Sequence, residues 1–148
     1  MIATSDISGR CLCGAVRFTA NVAKHDVSAC HCSMCRRWTS GPFLGLAAEG
    51  APRFQGSENI EAYKSSAWGE RGFCKVCGST LYWRLSGTDQ YEIAAGSLDD
   101  QSRLALTSEV FIEEKPAFYA FANDTKKQTG AEVMAEFMAG KQTTSGKA

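Results

Sequence analysis

The sequence has no surplus of charge, no long apolar run, no leader-like start and no even set of cysteines. Sixteen lysines and arginines balance sixteen aspartates and glutamates. That removes the global field which draws a protein to nucleic acid or to an anionic membrane. The longest apolar stretch, FLGLAA at Phe43–Ala48, is far too short to span a bilayer. The opening MIATSDISGR lacks the basic start and apolar segment of a secretion signal, so the expected compartment is the cytoplasm. Seven cysteines are not kept as disulfides in that reducing environment, and an odd count does not close a disulfide framework. Cysteine chemistry or metal binding is what remains. Neither a repeat nor a dividing linker is visible, so a single domain over residues 1–148 is expected, long enough to bury a core.

What is present is a run of short segments rich in aromatic and β-branched residues. Ala15–Val22, Ile60–Ser66, Ser79–Leu85, Tyr91–Ala95 and Ser108–Glu114 read as strands. Gly9, Gly14, Gly41, Gly56, Gly72, Gly78, Gly87 and Gly96 fall near their ends, where turns call for positive φ. No helical period stands out before Gly130. GAEVMAEFMAG then predicts one short helix with Val133, Phe137, Met134 and Met138 on its inner side, and KQTTSGKA reads as a polar tail. The fold class is mainly β.

The cysteines fall into three groups: Cys11-x-Cys13, Cys30-x-Cys32-x2-Cys35 and Cys74-x2-Cys77. Zinc suits clustered thiolates, and seven ligands divide into a closed set of four plus a set of three with an open position. Two groupings are open. Cys32/Cys35 can join Cys74/Cys77, leaving Cys11, Cys13 and Cys30. Alternatively, Cys11/Cys13 join Cys74/Cys77, leaving Cys30, Cys32 and Cys35. Local chemistry favours the second. Gly14 directly follows Cys13 and Gly78 directly follows Cys77. A glycine at that place lets the backbone turn tightly and aim its N–H groups at sulfur. Cys35 is followed instead by Arg36 and Arg37. A strand end would set Cys30 and Cys32 on one side, a turn would bring Cys35 back to them, and His31 would point away.

GRCLCGAVRF, CHCSMCRRWTSGPF, RGFCKVCGSTLYW, IAAGSLDD and VFIEEKPAFY follow one another in this order. Together they resemble the family of glutathione-dependent formaldehyde-activating enzyme and centromere protein V, over about Gly9 to Asn123, with Phe118 where a tryptophan is frequent. The resemblance implies a β-tent of small antiparallel sheets. It implies a structural zinc on Cys11, Cys13, Cys74 and Cys77, and a second, catalytic zinc on Cys30, Cys32 and Cys35. The implied activity is that of a carbon–sulfur lyase acting on a thiol such as glutathione and an aldehyde, or on their adduct.

Three thiolates around a divalent zinc leave one negative charge, so neighbouring cations help an anionic ligand approach. Arg36 and Arg37 are the expected substrate-binding residues, suited to a carboxylate. The proton donor stays open among Tyr63, Glu70 and His31. Trp38, Phe43, Trp68, Phe73, Tyr82 and Trp83 are expected in the core or on a pocket rim. Two competing readings of the chain are a zinc-stabilised binding module without turnover and a thiol redox protein using Cys32 and Cys35. The redox reading is the weaker, since no βαβ setting is visible around that pair.

Overall fold

Strand β2 (Arg17–Val22) shows why the short segments fold as they do: in RFTANV, Phe18, Ala20 and Val22 are buried while Arg17 and Thr19 face out. That alternation is the mark of a strand with one covered face. The computed structural model describes residues 3–143, with side chains described up to residue 139. The described chain folds into two compact units, one of Met1–His25 with Gly45–Leu104, the other of Asp26–Leu44 with Ala105–Ala148.

In the first unit, β1 (Ser5–Arg10), β2 and β5 (Arg53–Gln55) form one antiparallel sheet in the order β1-β2-β5. The remaining strands of the unit are β4 (Phe43–Ala47, from Gly45 on), β6 (Ile60–Lys64), β7 (Gly69–Cys74), β8 (Thr80–Leu85) and β9 (Tyr91–Ala94). They pair antiparallel in the order β4-β9-β8-β7-β6. The core under these sheets gathers Cys11, Val16, Cys74, Leu81 and Tyr82, with Phe54, Ile60 and Tyr91 against it. Fully burying a side chain such as Leu81 (1 % exposed) contributes about 1.5–3 kcal/mol. The rings of Tyr82 and Tyr91 meet edge-on, with centroids 4.9 Å apart. Gly72 serves that packing rather than a turn. It lies inside β7, and a Cβ there would come within 2.2 Å of the Tyr82 ring.

In the second unit, β3 (Asp26–Cys30) pairs with β10 (Ala105–Val110), and β10 with β11 (Lys126–Gln128). Both pairs are parallel, an addition to the antiparallel pairing expected. A parallel pair needs a long return of the chain, and the partners here are far apart in sequence. Two helices complete the unit, α1 (Ser33–Thr39) and α2 (Gly130–Thr143). The expected C-terminal helix is present. It opens on a capping box, in which Glu132 N donates to Thr129 Oγ1 at 3.1 Å and Thr129 N donates to Glu132 Oε1 at 2.7 Å. Val133 and Phe137 are half-buried as expected, but Met134 and Met138 are 43 % and 51 % exposed. The apolar stripe is therefore narrower than the four residues predicted. Of the polar tail expected in KQTTSGKA, Lys141–Thr143 instead continue α2, and residues 144–148 lie outside the described residues.

The absence of helix before Gly130 is also corrected, because α1 follows immediately on Cys32. Of the expected strands, Ser108–Glu114 is shifted. The strand runs from Ala105 to Val110, and Ile112–Glu114 form a turn of 3-10 helix. Phe111, in the left-handed region at φ 55°, breaks the strand between them. Among the described residues, no helix is long and apolar enough to cross a membrane.

Candidate metal centres

Cys11 and Cys13 lie in the turn between β1 and β2; Cys74 closes β7 and Cys77 lies in the turn to β8. The two turns are built alike. Val16 N donates to Cys11 Sγ at 3.3 Å and Ala15 N to Cys13 Sγ at 3.4 Å. Cys77 N donates to Cys74 Sγ at 3.5 Å. Gly14 at φ 84° and Gly78 at φ 82° supply the left-handed residue of each turn. Backbone N–H groups aimed at sulfur favour the thiolate over the thiol. Cys77 shows the result: hydrogen bonds from Ser79 and from the backbone hold its thiol down at about 5.

The four sulfurs of Cys11, Cys13, Cys74 and Cys77 lie within 4.8 Å of one another. Cys11 Sγ and Cys13 Sγ are 3.7 Å apart, and Cys13 Sγ and Cys74 Sγ are 3.9 Å apart. A tetrahedral zinc with bonds of about 2.3 Å requires sulfur–sulfur edges of about 3.8 Å. The donor set therefore fits zinc in number, chemistry and spacing. A disulfide, with sulfurs about 2.05 Å apart, does not describe it.

The sulfurs of Cys30, Cys32 and Cys35 form a second group, again within 4.8 Å of one another and entirely within the second unit. Cys30 ends β3. Cys32 is the N-cap of α1 and accepts a hydrogen bond from Cys35 N at 3.4 Å, while Cys35 is buried one turn into the helix. A helix start, not the expected turn, thus brings Cys35 back to its partners. The sulfur of Cys32 does the work that a serine or aspartate oxygen does at an ordinary N-cap. The three groups divide one charge unequally. Hydrogen bonds from Cys30 and Cys35 lower the Cys32 thiol to about 2, while Cys32 and Cys35, with burial, push the Cys30 thiol far up. Three crowded sulfurs of which one is readily ionised suit a soft divalent cation. Cys32 at a helix start also has the local setting that a redox pair requires. Cys30, drawn into the same cluster, is the element such a pair does not need.

Arg36 and Arg37 sit in α1 directly after Cys35. Arg36 is half-buried, and its Nε donates to the His31 carbonyl at 2.9 Å; Arg37 is exposed. Of the candidate proton donors, Tyr63 is 65 % exposed on β6, and Glu70 on β7 pairs with Arg84 at 3.6 Å. His31 is fully buried, with both ring nitrogens engaged. Its direction away from the sulfurs is the one expected of a residue between two ligands.

One carboxyl escaped the sequence reading. Glu92 on β9 stands in register with Trp83 on β8 and Ala47 on β4, and burial alone raises its carboxyl to about 7. Because the folded value lies above the ordinary one, the proton on Glu92 stabilises the fold fully below the carboxylate range. That contribution is lost as pH rises through about 7. Glu92→Gln should therefore lose less stability than the parent between about pH 5 and about pH 8, by about 1–3 kcal/mol. Urea unfolding at both pH values reads this out, and equal slopes in the two proteins would refute it.

Two sulfur clusters, of four and of three, each with a spacing that could hold a metal, thus lie in a mainly β chain of short strands. The family model for glutathione-dependent formaldehyde-activating enzyme matches residues 6–114, and the chain belongs to that family. It is 38 % identical over 130 residues to an uncharacterized lyase of Schizosaccharomyces pombe, covering 87 % of this chain and 95 % of that one. A crystal structure of a Rhodobacter sphaeroides protein superposes with a TM-score of 0.55 at 25 % identity, covering 63 % of this chain and 88 % of that one. Family membership and the lyase relative make this chain a carbon–sulfur lyase-like enzyme.

Proposed function

We propose that the protein joins a small thiol to an aldehyde, or cleaves their adduct, at a zinc held by Cys30, Cys32 and Cys35. A second zinc on Cys11, Cys13, Cys74 and Cys77 is structural. The observation that carries this reading is the division of the cysteines into separate clusters of four and three. Four thiolates complete a tetrahedral site, whereas three leave a position for a ligand. Bound at the three-cysteine cluster, zinc supplies a Lewis acid that lowers the pKa of an incoming thiol.

The reaction is an addition. A carbon–sulfur bond forms, the carbonyl becomes a hydroxyl, and the thiol proton passes to the carbonyl oxygen; the lyase direction reverses each change. Glutathione and formaldehyde, named by the family, are the first pair to test. The role of the chain itself is to bind and orient. Glutathione carries two carboxylates, and the guanidinium groups of Arg36 and Arg37 match them in charge and shape. Arg36 is steadied by its bond to the His31 carbonyl, so part of its conformational entropy is lost before a ligand arrives.

Exchange NMR with 13C-labelled formaldehyde and glutathione tests the proposal. Zinc-loaded protein should accelerate exchange between free aldehyde and adduct in proportion to its concentration. Arg36→Ala/Arg37→Ala should weaken this with glutathione more than with mercaptoethanol, which has no carboxylate. Exchange at the uncatalysed rate with every thiol tried would leave the binding-module reading in its place.

A further inference from the structure

His31, between two of the three clustered cysteines, has each of its polar groups occupied. Its N–H donates to the Val110 carbonyl at 3.1 Å, and its carbonyl accepts from Arg36 Nε at 2.9 Å. Its Nε2 lies 2.9 Å from Glu109 Oε1, and its Nδ1 lies 2.9 Å from the Tyr119 hydroxyl. The ring stacks on that of Tyr119, with centroids 5.6 Å apart. Glu109 is as deeply buried as His31, at 1 % exposed against 0 %. Its other oxygen accepts from Thr125 Oγ1 at 2.6 Å, with Lys127 Nζ 3.8 Å away.

The ring is held at both of its nitrogens. Although burial works against the charge, hydrogen bonds from Thr125 and His31 hold the Glu109 carboxyl below the usual carboxylate range. An ionised carboxylate only accepts, so Nε2 of His31 carries the proton. Nδ1 shares its hydrogen bond with the Tyr119 hydroxyl. His31 is fixed in one orientation by groups 78 and 88 residues away in sequence. Neighbouring residues of an extended chain project to opposite sides. A ring locked inward at His31 therefore keeps Cys30 and Cys32 directed the other way, towards Cys35.

We infer that His31, Glu109 and Tyr119 are positioning residues for the three-cysteine site: the locked imidazole holds its loop in the conformation that brings the three sulfurs together, and so sets the affinity of that site for metal. This rests on the reading that Cys30, Cys32 and Cys35 hold a metal. Without the lock, the crowding of three sulfurs has to be overcome as the metal binds. With it, folding has already met that cost. Groups that orient metal ligands from behind are typically worth about ten- to a hundredfold in metal affinity.

The test uses the full chain as wild type, Glu109→Gln and Tyr119→Phe, each loaded with two equivalents of zinc and then challenged with a chromophoric chelator. Thermal melting of the same samples serves as the fold control. Both variants should release the second zinc at about ten- to a hundredfold lower chelator strength, while the first, tightly held zinc leaves as in the wild type. Tyr119→Phe removes a single hydroxyl and keeps the stacked ring, so it carries the test if Glu109→Gln does not fold. Unchanged release of the second zinc from a folded variant would overturn the inference. Equal weakening of both zincs would also overturn it, because that describes a general loss of fold. A wild type that takes up no second zinc would count instead against the underlying metal reading.

Discussion

Cys74→Ala and Cys13→Ala are expected to give protein that is insoluble or unfolded at ambient temperature. Each removes one corner of a sulfur set whose edges, 3.7 and 3.9 Å, match a zinc tetrahedron. Cys11 and Cys74 are also among the most deeply buried side chains of the first unit, in contact with Val16, Leu81 and Tyr82. Structural zinc contributes as much as roughly 10–16 kcal/mol in peptides that have no other core. Even a fraction of that rivals the roughly 5–15 kcal/mol by which a whole domain is stable. Soluble expression, circular dichroism and thermal melting read the outcome. A Cys74→Ala protein that melts within a few degrees of its parent would show that the four-cysteine site holds nothing the fold depends on.

Cys35→Ala should behave in the opposite way. Its side chain is buried at the start of α1, but replacing its thiol by a hydrogen in so short a helix removes little apolar contact, about 1 kcal/mol. The protein should stay folded, retain one zinc and lose the other. Thiol–aldehyde exchange should fall to the uncatalysed rate, because two remaining thiolates no longer make the site. Elemental analysis after zinc reconstitution, beside the exchange measurement, gives both results on one sample. Unfolding as severe as that of Cys74→Ala would make the three-cysteine cluster a second structural element and weaken the enzyme reading.

The grouping of the cysteines was legible in the sequence for a local reason. Gly14 and Gly78 stand where a metal knuckle needs a left-handed residue, and both adopt it. The fold class was legible because alternation as clear as that of β2 belongs to strands. The first helix was not legible. It is seven residues long, SMCRRWT, too short to show a period, and its cap is a cysteine rather than an oxygen-bearing side chain. Gly72 was misplaced in a turn because sequence does not distinguish a glycine that frees the backbone from one that makes room for a ring. Met134 and Met138 fit the helical period but face outward, since period alone does not say how wide a stripe is covered. The network behind His31 was beyond reach for another reason. Its partners, Glu109 and Tyr119, come from distant strands and loops, and nothing near CHC announces them.

The central claim is that Cys30, Cys32 and Cys35 hold a metal with a position open to a thiol. Cobalt in place of zinc reports this directly, since thiolate–cobalt absorption changes when a further sulfur enters the coordination shell. Protein carrying two cobalt ions should shift its spectrum as glutathione is added, whereas Cys35→Ala, with one cobalt, should not. No shift with glutathione, cysteine or mercaptoethanol, in protein shown to hold both ions, would contradict the claim and make the site closed.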